Sequence, residues 1–202
     1  GARLVRIKPR YNPDVNQWWL CDEGRYGLGW IDRARLGSVR GPSTDAKDAT
    51  WEQALTAIST ALAASGEKQN GGRSGDGART GVIASAQLAN EELFLVREIF
   101  QGKLGALVSA AVPARPGSSD DFLIKADKNP NTRGATLLGL AGEQSQPGGA
   151  EQVIDDALAG NLEVLWVFGH DLGQLFGEEK VRQLAEKVPL FVFSGTNENP
   201  TT

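Results

Sequence analysis

Two stretches of this chain read strand, helix, strand, and that pattern narrows the fold more than any other feature. In the first, residues 80–85 (TGVIAS) form a short apolar run. A helical pattern follows through residues 91–101, with Asn90 as its expected N-cap and acidic residues in its first turn. Residues 104–111 (LGALVSAA) are a second apolar run. In the second stretch, residues 163–168 (EVLWVF) precede a helix over 177–187, with Val181, Leu184, Ala185 and Val188 on one side. Residues 189–193 (PLFVF) then close the unit. A helix between two strands of one sheet forces a parallel pair and a right-handed crossover. Strands that are apolar at nearly every position belong to parallel sheets covered on both faces. The expected class is α/β: a Rossmann-like parallel sheet with flanking helices.

The remaining pattern is consistent with that class. Residues 50–65 read as the clearest helix, with Thr50 and Gln53 as a capping box. Trp51, Ala54, Leu55, Ile58, Ala61 and Leu62 fall on one apolar face, and Gly66 is the expected stop. Residues 151–160 read as a short helix with Val153, Ile154, Ala157 and Leu158 inward. The Gly-rich stretch 67–79 (EKQNGGRSGDGAR) contains neither G-x-x-x-x-G-K-[ST] nor G-x-G-x-x-G, and no strand leads directly into it. It is expected to be a surface loop rather than a phosphate cradle. Residues 112–147 read mostly as connection, with Asx-type turns in 127–134 (DKNPNTRG).

Composition excludes several classes. The net charge is −4, from 21 basic and 25 acidic residues, with no long basic run, so no nucleic-acid partner is expected. No apolar run approaches the ~18 residues that a membrane span needs. Arg3, Arg6, Lys8 and Arg10 interrupt any signal-peptide core. A single cysteine excludes an internal disulfide. The chain opens inside a strand-like segment and closes just past another, so it is expected to be an excised fragment.

Residues 4–25 (LVRIKPRYNPDVNQWWLCDEGR) hold that cysteine, Cys21. The alternation in residues 4–8 predicts a half-exposed strand ended by Pro9, and Asn12-Pro13-Asp14 predicts a turn. Trp18 and Trp19 supply an aromatic anchor. On these residues alone, Cys21 reads as a small buried hydrophobe beside the two tryptophans. The phrases V-R-x-K-P-R-x-N and V-N-x-x-W-x-C-D-x-G-R, however, resemble a known segment. It is the end of the small iron–sulfur segment that opens the molybdopterin-oxidoreductase domain. The version most similar is that of the large iron–sulfur subunit (G chain, 75 kDa) of bacterial respiratory complex I, NADH:quinone oxidoreductase. Trp51-Glu52-Gln53-Ala54-Leu55 and the A-D-x-N-P-N-x-x-G run at 126–134 resemble it again.

The resemblance implies that Cys21 is the fourth thiolate ligand of a [4Fe–4S] cluster. Its three partners would lie in a C-x2-C-x3-C run that these residues do not contain, so these residues are expected to bind no cofactor alone. It also implies that residues 1–30 are a remnant of the [4Fe–4S] segment and residues 31–202 a Rossmann-like α/β domain fragment. The implied role is electron transfer and structural scaffold, redox-silent in isolation, with other subunits of a respiratory complex as partners on the cytoplasmic side of the membrane. A fragment of a molybdopterin enzyme such as formate dehydrogenase is the alternative, and a nucleotide-binding Rossmann-like module is a third.

His170, the only histidine, stands just past the 163–168 strand. Open α/β sheets place ligands there, which makes His170 a candidate general base. No second histidine, Ser/His/Asp order, H-E-x-x-H or C-x-x-C accompanies it. The favoured reading is a loop residue satisfied by backbone contacts, so no catalytic residue is expected.

Overall fold

A computed structural model describes residues 4–41, 49–71, 79–115, 117–144 and 148–202. The chain divides into two compact units, the first from residues 1–35 and 114–128, the second from residues 36–113 and 129–202.

The first unit is built from turns. Its one helix among the described residues is α1, Asp22–Tyr26. The Asn12–Gln17 turn closes through reciprocal backbone bonds of 3.2 and 2.6 Å. The Asn12 side chain accepts from the Asp14 N–H at 3.0 Å, as the Asn-Pro-Asp signal predicts. Residues 4–8 do not form the expected strand. They are exposed, and the Ile7 N–H donates to the Arg25 carbonyl at 3.1 Å without a ladder along the segment. Alternation produces a strand only where a neighbour supplies its ladder, and none does so here among the described residues. The segment 114–128, which reads from sequence as mere connection, belongs to this unit. Phe122 meets Trp19 edge to face at 5.1 Å, and Lys128 pairs with Glu23 at 3.3 Å.

Asp120 organises that segment. Its Oδ1 accepts from the N–H groups of Phe122, Leu123 and Ile124 at 3.0, 2.6 and 2.7 Å. The Ile124 and Leu123 bonds are the main reason its carboxyl titrates below the usual aspartate range; desolvation opposes them, and the Phe122 bond and the Lys125 charge add to the lowering. A group held ionised in the folded state adds stability above its ordinary pKa, and that stability disappears as pH falls through the lowered value. We therefore expect the Asp120 carboxyl, followed by carbon-detected NMR, to titrate below about 3.9. The Leu123 and Ile124 amides should exchange faster with solvent in the same acid limb. A midpoint at or above the ordinary value contradicts this account.

The second unit carries the sheet. Helix α2 spans Trp51–Gly71, and its start is the predicted capping box: Thr50 N–H to Gln53 Oε1 at 2.9 Å and Gln53 N–H to Thr50 Oγ1 at 3.2 Å. The helix continues past Gly66, the expected stop; residues 72–78 of the expected loop lie outside the described residues. Strand β1 (Thr80–Ser85) leads to α3 (Asn90–Val96), which runs on as a π-helical turn over Arg97–Lys103. Strand β2 is Leu107–Ala111. After it come α4 (Thr132–Leu137), a 3₁₀ turn at Gly142–Gln144, and α5 (Gly149–Leu158). Strand β3 (Val164–Phe168), α6 (Leu172–Phe176), α7 (Glu178–Lys187) and β4 (Leu190–Ser194) complete the order.

All strand pairs are parallel, in the order β2-β1-β3-β4. Both predicted strand–helix–strand units are present, and they meet at the central β1–β3 pair, where Thr80 faces Val164 and Ile83 faces Val167. One face of the sheet packs Ile83, Leu165 and Val167 on α5 and α7 through Val153, Ile154, Val181 and Leu184. The other packs Val82, Ala84 and Val108 on Leu93, Val96 and Phe100. Trp166 and Phe168 stack at 5.2 Å on this second face, and Phe100 meets Trp166 edge to face. Burying one large apolar side chain contributes about 1.5–3 kcal/mol, so these two layers dominate stability. Gly81 is required inside β1: a Cβ there would stand 2.6 Å from Leu162 Cδ1 and 2.8 Å from Val153 Cγ1.

Two details depart from expectation. The N-cap of α3 is Ala89, whose N–H donates to Glu92 Oε2 at 2.7 Å, while Asn90 is the first helical residue. In α2 the small residues Ala57, Ala61 and Ala64 line the cavity of about 230 Å³ beside Pro189 and Leu190. The larger Trp51 and Leu55 of the predicted apolar face are 73% and 56% exposed.

Candidate functional site

Cys21 is the N-cap of α1, with extended backbone at φ −67° and ψ 157°. Its Sγ accepts from the Gly24 N–H at 3.4 Å, and its carbonyl accepts from the Arg25 N–H at 3.0 Å. The side chain is half-buried, while Trp18 and Trp19 are 66% and 56% exposed, so the thiol does not sit in an aromatic core. An N–H aimed at sulfur suits an iron–sulfur ligand, because hydrogen bonds to sulfur help set a cluster's potential. Cys21 thus fits one corner of a [4Fe–4S] cluster. Such a cluster takes four thiolates, and Cys21 is the only cysteine of the chain. Among the described residues no group of three or more His, Cys, Asp or Glu is placed to hold a metal. These residues would supply at most one thiolate to such a cluster, not a complete site. The C-x-x-G spacing places a backbone donor, the Gly24 N–H, three residues after the thiol.

The carboxyl edge of the sheet is the other place to look. The connections reverse direction between β1 and β3, where open α/β sheets bind ligands. His170 lies there, 4% exposed, and its Nε2 is 2.7 Å from the carbonyl of Ala111 at the end of β2. The ring therefore ties the β3 loop to the end of β2. Beside it Ser85 is buried, and its hydroxyl accepts from the Gln87 N–H at 3.1 Å. Asp171 turns away to cap α6, accepting from the Gln174 N–H at 3.0 Å. Thr201 Oγ1 accepts from the Leu172 N–H at 2.7 Å in the same cap. The His170–backbone contact is the one expected from sequence.

Asn131 takes the turn-rich phrase into the same loops. Its Oδ1 caps α4 by accepting from the Gly134 N–H at 3.1 Å. Its Nδ2 donates to the Leu88 carbonyl at 2.8 Å and to Asn90 Oδ1 at 3.0 Å, and its N–H donates to the Ala86 carbonyl at 2.9 Å. With these bonds made, and its carbonyl accepting from the Ala135 N–H at 3.2 Å, Asn131 is a bracket between α4 and the β1–α3 loop. Gly134 completes it, since a Cβ there would overlap the side-chain amides of Asn90 and Asn131.

No helix among the described residues is long and apolar enough to cross a membrane. No family model matches the chain. Several known proteins are similar to it. NADH-quinone oxidoreductase subunit 3 of Thermus thermophilus is 35% identical over 135 residues, 61% of this chain and 16% of that protein. The G subunit of NADH-quinone oxidoreductase from Streptomyces coelicolor is 31% identical over 96 residues, 46% of this chain and 10% of that protein. The NADH-ubiquinone oxidoreductase 75 kDa subunit of Reclinomonas americana is 36% identical over 59 residues, 29% of this chain and 8% of that protein. The chain thus matches less than a fifth of the length of each of these relatives. An α/β parallel sheet, a C-D-E-G-R phrase with its thiol at a helix N-cap, and these likenesses together make the chain a relative of the G, or 75 kDa, subunit of NADH-quinone oxidoreductase.

Proposed function

We propose that this chain is a region of the iron–sulfur subunit of an NADH:quinone oxidoreductase, that Cys21 is one of four thiolates on a [4Fe–4S] cluster, and that the parallel-sheet unit is a scaffold. On this reading residues 1–30 close the cluster-binding segment and residues 31–202 form the Rossmann-like part. The observation that supports it most is the Gly24 N–H on Cys21 Sγ within the C-D-E-G-R phrase. A relative from Solanum tuberosum is named an iron-sulfur protein, in agreement. When bound, the cluster passes single electrons. The chain's own residues would hold one iron, orient Sγ through the α1 cap and keep Gly24 against the sulfur. The other three thiolates must come from outside these 202 residues, so the region alone is redox-silent. Its partners would be the other subunits of the complex, in an arm on the cytoplasmic side of the membrane. His170 filling the switch point with its bond to Ala111 weighs against a nucleotide there.

The test uses the full-length protein, purified anaerobically with and without Cys21→Ala. The variant is expected to lose about four irons per chain and one reduced-state EPR signal. Unchanged iron and spectra would leave Cys21 as a structural thiol. Stoichiometric molybdenum in the wild type would point instead to a molybdopterin enzyme.

A further inference from the structure

Residues 114–128 form a tied loop whose contacts converge on the Cys21 turn. The Lys128 N–H donates to the Arg115 carbonyl at 3.3 Å, which ties the base of the loop. The Asp120 N–H donates to the Ile124 carbonyl at 3.0 Å, and the N–H groups held by the Asp120 carboxylate close the tip. The tip presents Phe122 to Trp19, edge to face at 5.1 Å. The base presents Lys128, whose Nζ donates to Glu23 Oε2 at 3.3 Å. The Lys128 stem lies against Gly117, where a Cβ would overlap Lys128 Cε. Trp19 and Glu23 stand two positions before and two after Cys21. The loop therefore grips the chain on both sides of the thiol, although Lys128 and Glu23 are 105 positions apart.

The Cys21 turn needs such support. Helix α1 has five residues. An isolated helix shorter than about 12–15 residues is marginal in water. The Gly24 N–H reaches Sγ through the first turn of that helix, so the bond lasts only while α1 is held. Each contact is weak alone, because Phe122 is 65% exposed and the Glu23 side chain 72%. Together they fix two points of a short turn from a loop that is already ordered, which costs little further conformational entropy. We infer that residues 114–128 are a clamp that sets the direction of Cys21 Sγ for cluster ligation, with Phe122 and Lys128 as positioning residues that act through Trp19 and Glu23. This inference rests on the reading of Cys21 as a cluster ligand. Groups behind a metal ligand hold it near its bonding geometry and tune both metal retention and electronic properties.

The test compares F122S/K128Q with the conservative F122Y/K128R. In the 202-residue chain Cys21 is the only thiol, so a neutral maleimide reads it alone. Alkylation should be at least about threefold faster in F122S/K128Q, because α1 opens more often, and should return to the wild-type rate in F122Y/K128R. Circular dichroism checks that both variants keep their secondary structure. In the full-length protein, purified anaerobically, F122S/K128Q should shift the g-values of the reduced EPR signal that Cys21→Ala removes. It should also lose iron to a chelator at least about threefold faster, and F122Y/K128R should restore both. An unchanged alkylation rate in F122S/K128Q overturns the clamp. So does faster alkylation with an unchanged EPR signal, which would reduce the loop to packing. Iron and EPR unchanged in Cys21→Ala would overturn the ligand reading itself, and this inference with it.

Discussion

Replacing Leu165 by alanine should cost about 2–5 kcal/mol of stability and lower the melting temperature by roughly 5–15 °C. Leu165 is fully buried in β3, a central strand paired on both sides, at Phe191 on β4 and Gly81 on β1. It belongs to the layer between the sheet and α5 and α7. Neighbours held by two parallel ladders cannot close around the lost methyls, so the cavity term adds to the transfer term. Trp51→Ala removes a larger side chain, but one that is 73% exposed, and should change stability by under about 0.5 kcal/mol. Thermal unfolding of both variants checks the contrast. A Trp51→Ala loss as large as that of Leu165→Ala would mean that α2 packs through its large apolar face after all.

Asn131→Ala should cost about 1–3 kcal/mol, more than an average helix cap. Removing the side chain leaves the Gly134 N–H without its cap, and the Leu88 carbonyl and Asn90 Oδ1 without a donor. Asn131→Asp keeps an acceptor for Gly134 but cannot donate, and it sets a carboxylate against two oxygens; it should therefore rescue little. A double-mutant cycle with Asn90→Ala should show coupling, since the two side chains share a bond. Denaturant unfolding measures all three. A change of less than about 0.3 kcal/mol in Asn131→Ala would show that the bracket is redundant.

These two positions divide what can be read from the chain. The environment of Leu165 follows from sequence, because EVLWVF, a short apolar run between two helical patterns, has the length and composition of an interior parallel strand. The predicted β1 matches the observed strand, β3 starts one residue later than expected, β4 is shifted by one residue at both ends, and β2 starts three residues later. The α2 capping box and the position of His170 are equally legible. These are local properties: period, cap chemistry and strand composition act over a few residues.

What sequence cannot supply involves partners far along the chain. Residues 4–8 have the alternation of a strand but no ladder to join, so they are not one. The segment 114–128 reads as linker, yet Asp120 gathers three N–H groups there and Phe122 meets Trp19. Asn131 reads as a turn residue, and only folding brings it within reach of Leu88 and Asn90, more than forty positions away. The α2 helix has one apolar face by periodicity, but tertiary packing turns its alanines to the β3–β4 end and leaves Trp51 outside. Periodicity counts apolar side chains along a helix. Which side meets the sheet depends on how closely the backbones can approach, and alanine allows the closer contact.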